Sequence, residues 1–244
     1  MGLLRRRAEA RLWQERSDAT TVRSFTGDQP TSTKGRLALA RALLAEGDRD
    51  GAGRWVRDVW RSEELSERLE TEVFEMFHDL LTREDHRARM DKRIGAKAFP
   101  GASRAAQRLC SNELSIVKAC VAAMANETKA LDRLDAVETS ARQDLGYTLC
   151  RIHWMLRHDR VVDATRLTLA AAPETMALQD TEEWWRERRI LARKLLDLGK
   201  FQAAYEVVRE AALPVSENYR ADFRFMSGWI ALRYLNDPAT ARAL

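Results

Sequence analysis

The segment Leu43–Val56, "LLAEGDRDGAGRWV", has a counterpart in Leu195–Val208, "LLDLGKFQAAYEVV". Paired leucines, a glycine, an alanine five residues on and a closing apolar pair coincide. "LRYLNDPATARAL" (Leu232–Leu244) keeps the frame with Asn236 for the glycine and Ala241 for the alanine. "WMLRHDRVVDATRL" (Trp154–Leu167) fits through Leu156 and Ala164 with Asp159 at the bend, and "DLLTREDHRARM" (Asp79–Met90) through Leu80 and Ala88. The bends fall near residues 47, 83, 159, 199 and 236. The wide middle gap takes one more unit, "ACVAAMANETKALDRL" (Ala119–Leu134), with a bend near Ala125. A period of about 38 residues is that of two-helix repeats, each burying its apolar stripe against its neighbours. The chain is therefore expected to be all-α, a superhelical stack of about six helical hairpins, a tetratricopeptide-like α-solenoid.

The unit around Gly199 shows why. Trp184, Leu191, Leu195 and Leu198 share one stripe of a helix, and Trp185, Ala192 and Leu196 the neighbouring one, with Arg186, Glu187 and Arg189 turned away. Asp180 with Glu183 reads as a capping box at its start and Gly199 as the left-handed residue that stops it. Ala204 then lets the partner helix approach, and Val207 and Val208 pack across. Pro214 marks the end of this unit, as Pro173 does for the one before. In the last unit Asn236 stops one helix, Asp237 caps the next and Pro238 opens it. That helix breaks off at Leu244, and the chain is expected to be a piece of something longer. Tyr219, Phe223, Met226, Trp229 or Ile230, and Leu232 form a further helical stripe read as core. Only 5 prolines and 11 glycines punctuate the 244 residues, which suits long helices better than many short strands.

Composition narrows the chemistry. The 41 basic and 37 acidic residues nearly balance, and the basic runs are short, so a nucleic-acid interface is not expected. Charge-free stretches reach eight residues (Ala119–Asn126, Phe225–Leu232), against roughly 20 for a membrane span. The start, "MGLLRRRAEARLWQERS", places its arginines after its leucines and does not read as a secretory signal. Cys110, Cys120 and Cys150 read as small buried thiols; their spacing leaves a disulfide open without requesting one. His78, His86, His153 and His158 lack metal-ligand spacing, and no nucleophile elbow or phosphate loop occurs. No metal, cofactor or catalytic residue is expected. Paired glutamates (Glu63 and Glu64, Glu182 and Glu183) read as helix-start charges that answer the helix dipole.

Of the two adjacent tryptophans, Trp184 reads as packing, and Trp185, on the second stripe, as the better candidate for a ligand contact. Arg220 and Arg224, with Arg233, could line a groove for a glycan or polyanion.

"EEWWRERRILARKLLDLG" followed by "ENYRADFRFMSGWIALRYLNDPATA" resembles the soluble lytic murein transglycosylases of Gram-negative bacteria, of the alphaproteobacterial type. "TSTKGRLALARALLAEGDRDGAGRWVRDVWR" (Thr31–Arg61) and "LLTREDHRARMDKRI" (Leu80–Ile94) resemble earlier parts of the same helical domain. The resemblance runs from Thr31 to Leu244, with residues 1–30 as an N-terminal helical segment or remnant. It implies a ring-like superhelix that carries a C-terminal lysozyme-like domain, whose glutamate cleaves murein glycan with formation of an anhydro sugar. The catalytic signature, a glutamate-serine start followed by a glycine-leucine-methionine-glutamine segment, does not occur in this sequence. The chain is then expected to be inactive alone, to scaffold the catalytic domain and to position peptidoglycan strands, with Trp185, Arg220 and Arg224 as possible contacts. The resemblance implies the periplasm. The hairpin pattern alone equally permits a cytosolic tetratricopeptide-like protein-interaction scaffold.

Overall fold

Polar caps and left-handed stops divide this chain into helices. The computed structural model describes residues 2–27, 29–109, 111–177 and 179–243, without the side chains of residues 141, 143 and 243. It is 78% helix, and the described residues contain no strand. The chain forms two compact units, Met1–Met90 and Asp91–Leu244.

The first unit contains α1 (Gly2–Gln14), α2 (Ala19–Thr26), α3 (Thr33–Ala45), α4 (Arg49–Ser62), α5 (Glu67–Phe77), a 3-10 turn (His78–Leu80) and the start of α6 (Arg83–Gly95). Asp18, Ser32, Asp48 and Ser66 each accept a hydrogen bond from the backbone N–H three residues on, at the starts of α2 to α5. Such caps contribute about 1 kcal/mol apiece. Helices α1, α2 and α4 all pack on α3, which buries Leu37, Ala38, Leu39 and Ala40 in succession. A helix enclosed on every side needs no polar face. Trp13, Val56, Trp60, Val73 and Phe77 complete this core. Glu9 ties α1 to the start of α3: its buried carboxylate accepts from the Thr31 N–H (2.9 Å), the Thr31 hydroxyl (3.0 Å) and the Ser32 hydroxyl (2.5 Å). Burial alone would raise its pKa, but these bonds and Arg5 together hold it below the ordinary 4.5.

The second unit continues α6 and adds α7 (Phe99–Gln107), α8 (Ser111–Met124), α9 (Ala130–Asp135), a 3-10 segment (Thr139–Gln143), α10 (Leu145–Arg157) and α11 (Val161–Ala170). Then come α12 (Pro173–Met176), α13 (Thr181–Asp197), α14 (Phe201–Arg209), α15 (Glu217–Tyr234) and α16 (Pro238–Ala243). Consecutive helices pair: α7 with α8, α10 with α11, α13 with α14 and α15 with α16. Helix α13 also touches α10, α11 and α15, and α11 touches α14.

The stops fall where the repeat placed them. Gly47, Asp159, Gly199 and Asn236 all have positive φ, and so does Asn126, one residue from the bend expected at Ala125. Near residue 83 the device differs. A 3-10 turn precedes α6, whose start is held by Thr82 and Asp85, each accepting the other's backbone N–H. A further left-handed turn at Lys97, between α6 and α7, has no counterpart in the repeat frame.

Arginines close helix ends across the packing. Arg41 donates to the carbonyls of Leu12, Trp13 and Ser17 at the end of α1, and Arg89 to those of Trp60 and Glu63 at the end of α4. Arg188 donates to Val207 and Thr168, near the ends of α14 and α11. The last carbonyls of a helix lack intrahelical partners and carry its negative pole, so a planar cation satisfies both needs.

The cysteines correct the reading of free thiols. Cys120 on α8 and Cys150 on α10 form a buried disulfide, with Cα atoms 5.3 Å apart. Residues 30 apart in sequence gave no spacing signal; the packing of α8 on α10 brings them together. Cys110 lies outside the described residues.

Candidate functional site

Helix α13 starts at Asp180, whose carboxylate accepts from the Glu182 and Glu183 N–H groups. Trp184 and Trp185 follow in its first turn. Trp184 is buried as expected, its indole N–H bonded to the Gln179 side chain at 3.0 Å. Trp185 is 0% exposed, so this ring presents no face to a ligand. Its indole N–H donates to Asp222 on α15 (3.0 Å) and its ring meets Phe223 edge-on, with centroids 5.4 Å apart. The placement corrects the view of Trp185 as the outward ring: α15 packs over the stripe that seemed open.

The polar face of α13 is also largely occupied. Arg186 donates to the Tyr219 hydroxyl at 3.0 Å and pairs with Glu183, while Arg189 pairs with Asp222 at 2.9 Å. Glu187, expected outside, is buried and lies 2.8 Å from Nδ1 of His153 on α10. Burial raises the pKa of Glu183, against the opposing pull of Arg186. Arg188 is fully buried and donates to the carbonyls of Val207 and Thr168, and desolvation lowers its pKa to about 10 against the opposing pull of Glu210. His153, Glu183 and Glu187 thus gather three titratable groups between helices. Only the even spacing of Glu183 and Glu187 on α13 hinted at this in sequence; His153 comes from a different helix.

The chain's open chemistry lies on the other side of α15. Met226 and Ile230 face the core, which resolves the choice between Trp229 and Ile230. Phe225 (69% exposed), Trp229 (38%) and Leu232 (57%) form an outward stripe at helical spacing. The Phe225 and Trp229 rings stack with planes 6° apart and centroids at 6.5 Å. Of the two candidate arginines on this helix, Arg224 is exposed and Arg220 half-buried.

The structure also has surface cavities, two in the first unit and one in the second. One of 690 Å³ is lined by Trp13, Arg16, Lys34, Arg41 and residues of α5. The second, of 580 Å³, lies between Arg23, Trp55 and Asp58, and the third, of 560 Å³, beside Phe201, Glu206 and Leu235. None of the three is lined by His153, Glu183 or Glu187, so this trio adjoins no space where these cavities could hold a substrate. Among the described residues no three His, Cys, Asp or Glu side chains are placed to hold a metal ion, and no helix is long and apolar enough to cross a membrane. No protein-family model matches the chain, and no curated protein or solved structure matches it either.

Proposed function

We propose that this chain is the non-catalytic helical part of a peptidoglycan lytic transglycosylase, a superhelical stack of helical hairpins that supports a lysozyme-like domain and positions glycan strands in the periplasm. The sequence segments quoted above supply the family, and the packing order of α10 to α15 is the observation that carries the architecture. Helix α10 touches α11, α13 touches α14 and α14 touches α15, and α10, α11 and α13 also touch helices two or three further on. That neighbour pattern is the one a stacked-hairpin repeat requires.

Two features support the rest of the reading. Disulfides persist in oxidising compartments such as the periplasm and are rare in the cytosol, so the Cys120–Cys150 bond favours export. The exposed ring pair Phe225 and Trp229, with Arg224 and Arg220 on the same helix, offers apolar faces for sugar rings and cations for their acidic substituents. It takes the place first given to Trp185.

The alternative, a tetratricopeptide-like scaffold for protein partners, draws on the same outward stripe. Co-sedimentation with purified sacculi separates the two. The wall reading expects the wild-type chain in the pellet and a Phe225→Ala/Trp229→Ala variant largely in the supernatant. Wild-type chain left in the supernatant would favour the protein scaffold.

A further inference from the structure

The largest of the three cavities belongs to the first unit and is a groove with two unlike walls. One wall is Trp13 and Arg16 from the end of α1 with Lys34 and Arg41 from α3; the other is Ser66, Arg68, Leu69, Glu72, Glu75 and Met76 along α5. Helix geometry makes the span from Ser66 to Met76 roughly 15 Å long. An extended chain covers that in about four to five residues. The volume of 690 Å³ falls inside the range of small-ligand sites.

The charges are unequal once internal pairs are removed. Arg68 pairs with Glu72 (2.9 Å), and the Arg41 guanidinium is held by three carbonyls with its carbon 5.4 Å from the centre of the Trp13 ring. The Arg16 guanidinium and the Lys34 ammonium make no hydrogen bond or ion pair among the described residues, although the Lys34 charge helps to lower the pKa of Glu72 across the groove. Both stand on the same wall as Arg41, whose pKa is lowered by burial and by the charge of Arg16. Like charges crowded at a groove edge favour an arriving anion. The N-terminal turn of α5, with its positive pole, borders the same space. Arg16, Lys34, Arg41 and Arg68 thus line the groove against two carboxylates, Glu72 and Glu75, and Trp13, Leu69 and Met76 supply apolar patches between the charges.

We infer that this groove binds a short extended acidic peptide, its carboxylates on Arg16 and Lys34 and its aliphatic groups against Leu69 and Met76. The site is separate from the outward stripe of α15 and does not depend on the glycan reading.

The test is fluorescence anisotropy with a labelled alternating glutamate–alanine hexapeptide and its lysine–alanine counterpart, at physiological salt. Saturable binding of the acidic peptide alone is expected, weakened about ten-fold or more by Arg16→Glu/Lys34→Glu. Position 34 lies in the first turn of α3, where a glutamate suits the helix dipole, so the variant is expected to fold; circular dichroism checks it. The charge-matched control Lys118→Glu/Lys129→Glu is expected to bind as the wild type does. Three results would overturn the inference: no saturable binding, an equal loss in the control, or competition by inorganic phosphate as effective as by unlabelled peptide.

Discussion

Removing the Cys120–Cys150 bond by a double substitution to alanine should destabilise the second unit by several kcal/mol. The bond closes a loop with a sequence separation of 30. By the logarithmic loop-closure relation, that restriction of the unfolded chain is worth about 3.6 kcal/mol at room temperature. Both sulfurs lie in the core between α8 and α10, and alanine leaves only a small void there. The loss should therefore come mainly from the freed unfolded chain, with a larger urea m-value because more surface becomes exposed. Urea unfolding followed by circular dichroism measures both. A thiol count accompanies it: the sequence holds three cysteines, and one reactive thiol is expected in denatured unreduced protein against three after reduction. A double variant within about 1 kcal/mol of the wild type would refute the loop-entropy reasoning. Three thiols before reduction would refute the bond itself.

Arg188→Ala should cost about 3 to 5 kcal/mol, because it leaves a void and strips the carbonyls of Val207 and Thr168 of their donor. Arg188→Met, which refills the volume, should recover part of that loss in the same urea assay. For Glu9, a folded pKa held below 4.5 means stability that is present above that pH and lost as pH falls through the folded value. Acid unfolding of Glu9→Gln should show a shallower pH dependence below 4.5 than the wild type; an identical profile would contradict the assignment. Trp185→Ala should cost about 3 to 5 kcal/mol, whereas Trp229→Ala should cost under about 1 kcal/mol. Thermal melts compare the two, and equal losses would mean that α15 is turned the other way.

Helix punctuation was the part of this fold most open to reading from sequence. Gly47, Asp159, Gly199 and Asn236 stop helices because a left-handed turn favours glycine, asparagine or aspartate, and those residues stood at a regular interval. Asp180 and Asp237 cap for equally local reasons. Lys97 was opaque, since a lysine gives no sign of the positive φ that its neighbours impose. Faces were harder to read than ends. The pattern of α13 separates apolar from polar positions, but α10, α11, α14 and α15 surround it and enclose Glu187 and Arg188 as well. Trp185 and Trp229 exchanged roles for the same reason: which aromatic stripe is covered depends on how α15 rolls against α13, and no periodicity within one helix encodes that roll. The disulfide and the groove beside Arg16 and Lys34 likewise arise from residues distant in sequence.

Incubation of the wild-type chain with purified sacculi, with bound protein and released muropeptides measured in the same sample, addresses the proposed role most directly. The account predicts saturable binding and no anhydro-muropeptide above the protein-free background. Failure to bind, or release of anhydro-muropeptides that grows with protein concentration, would contradict it.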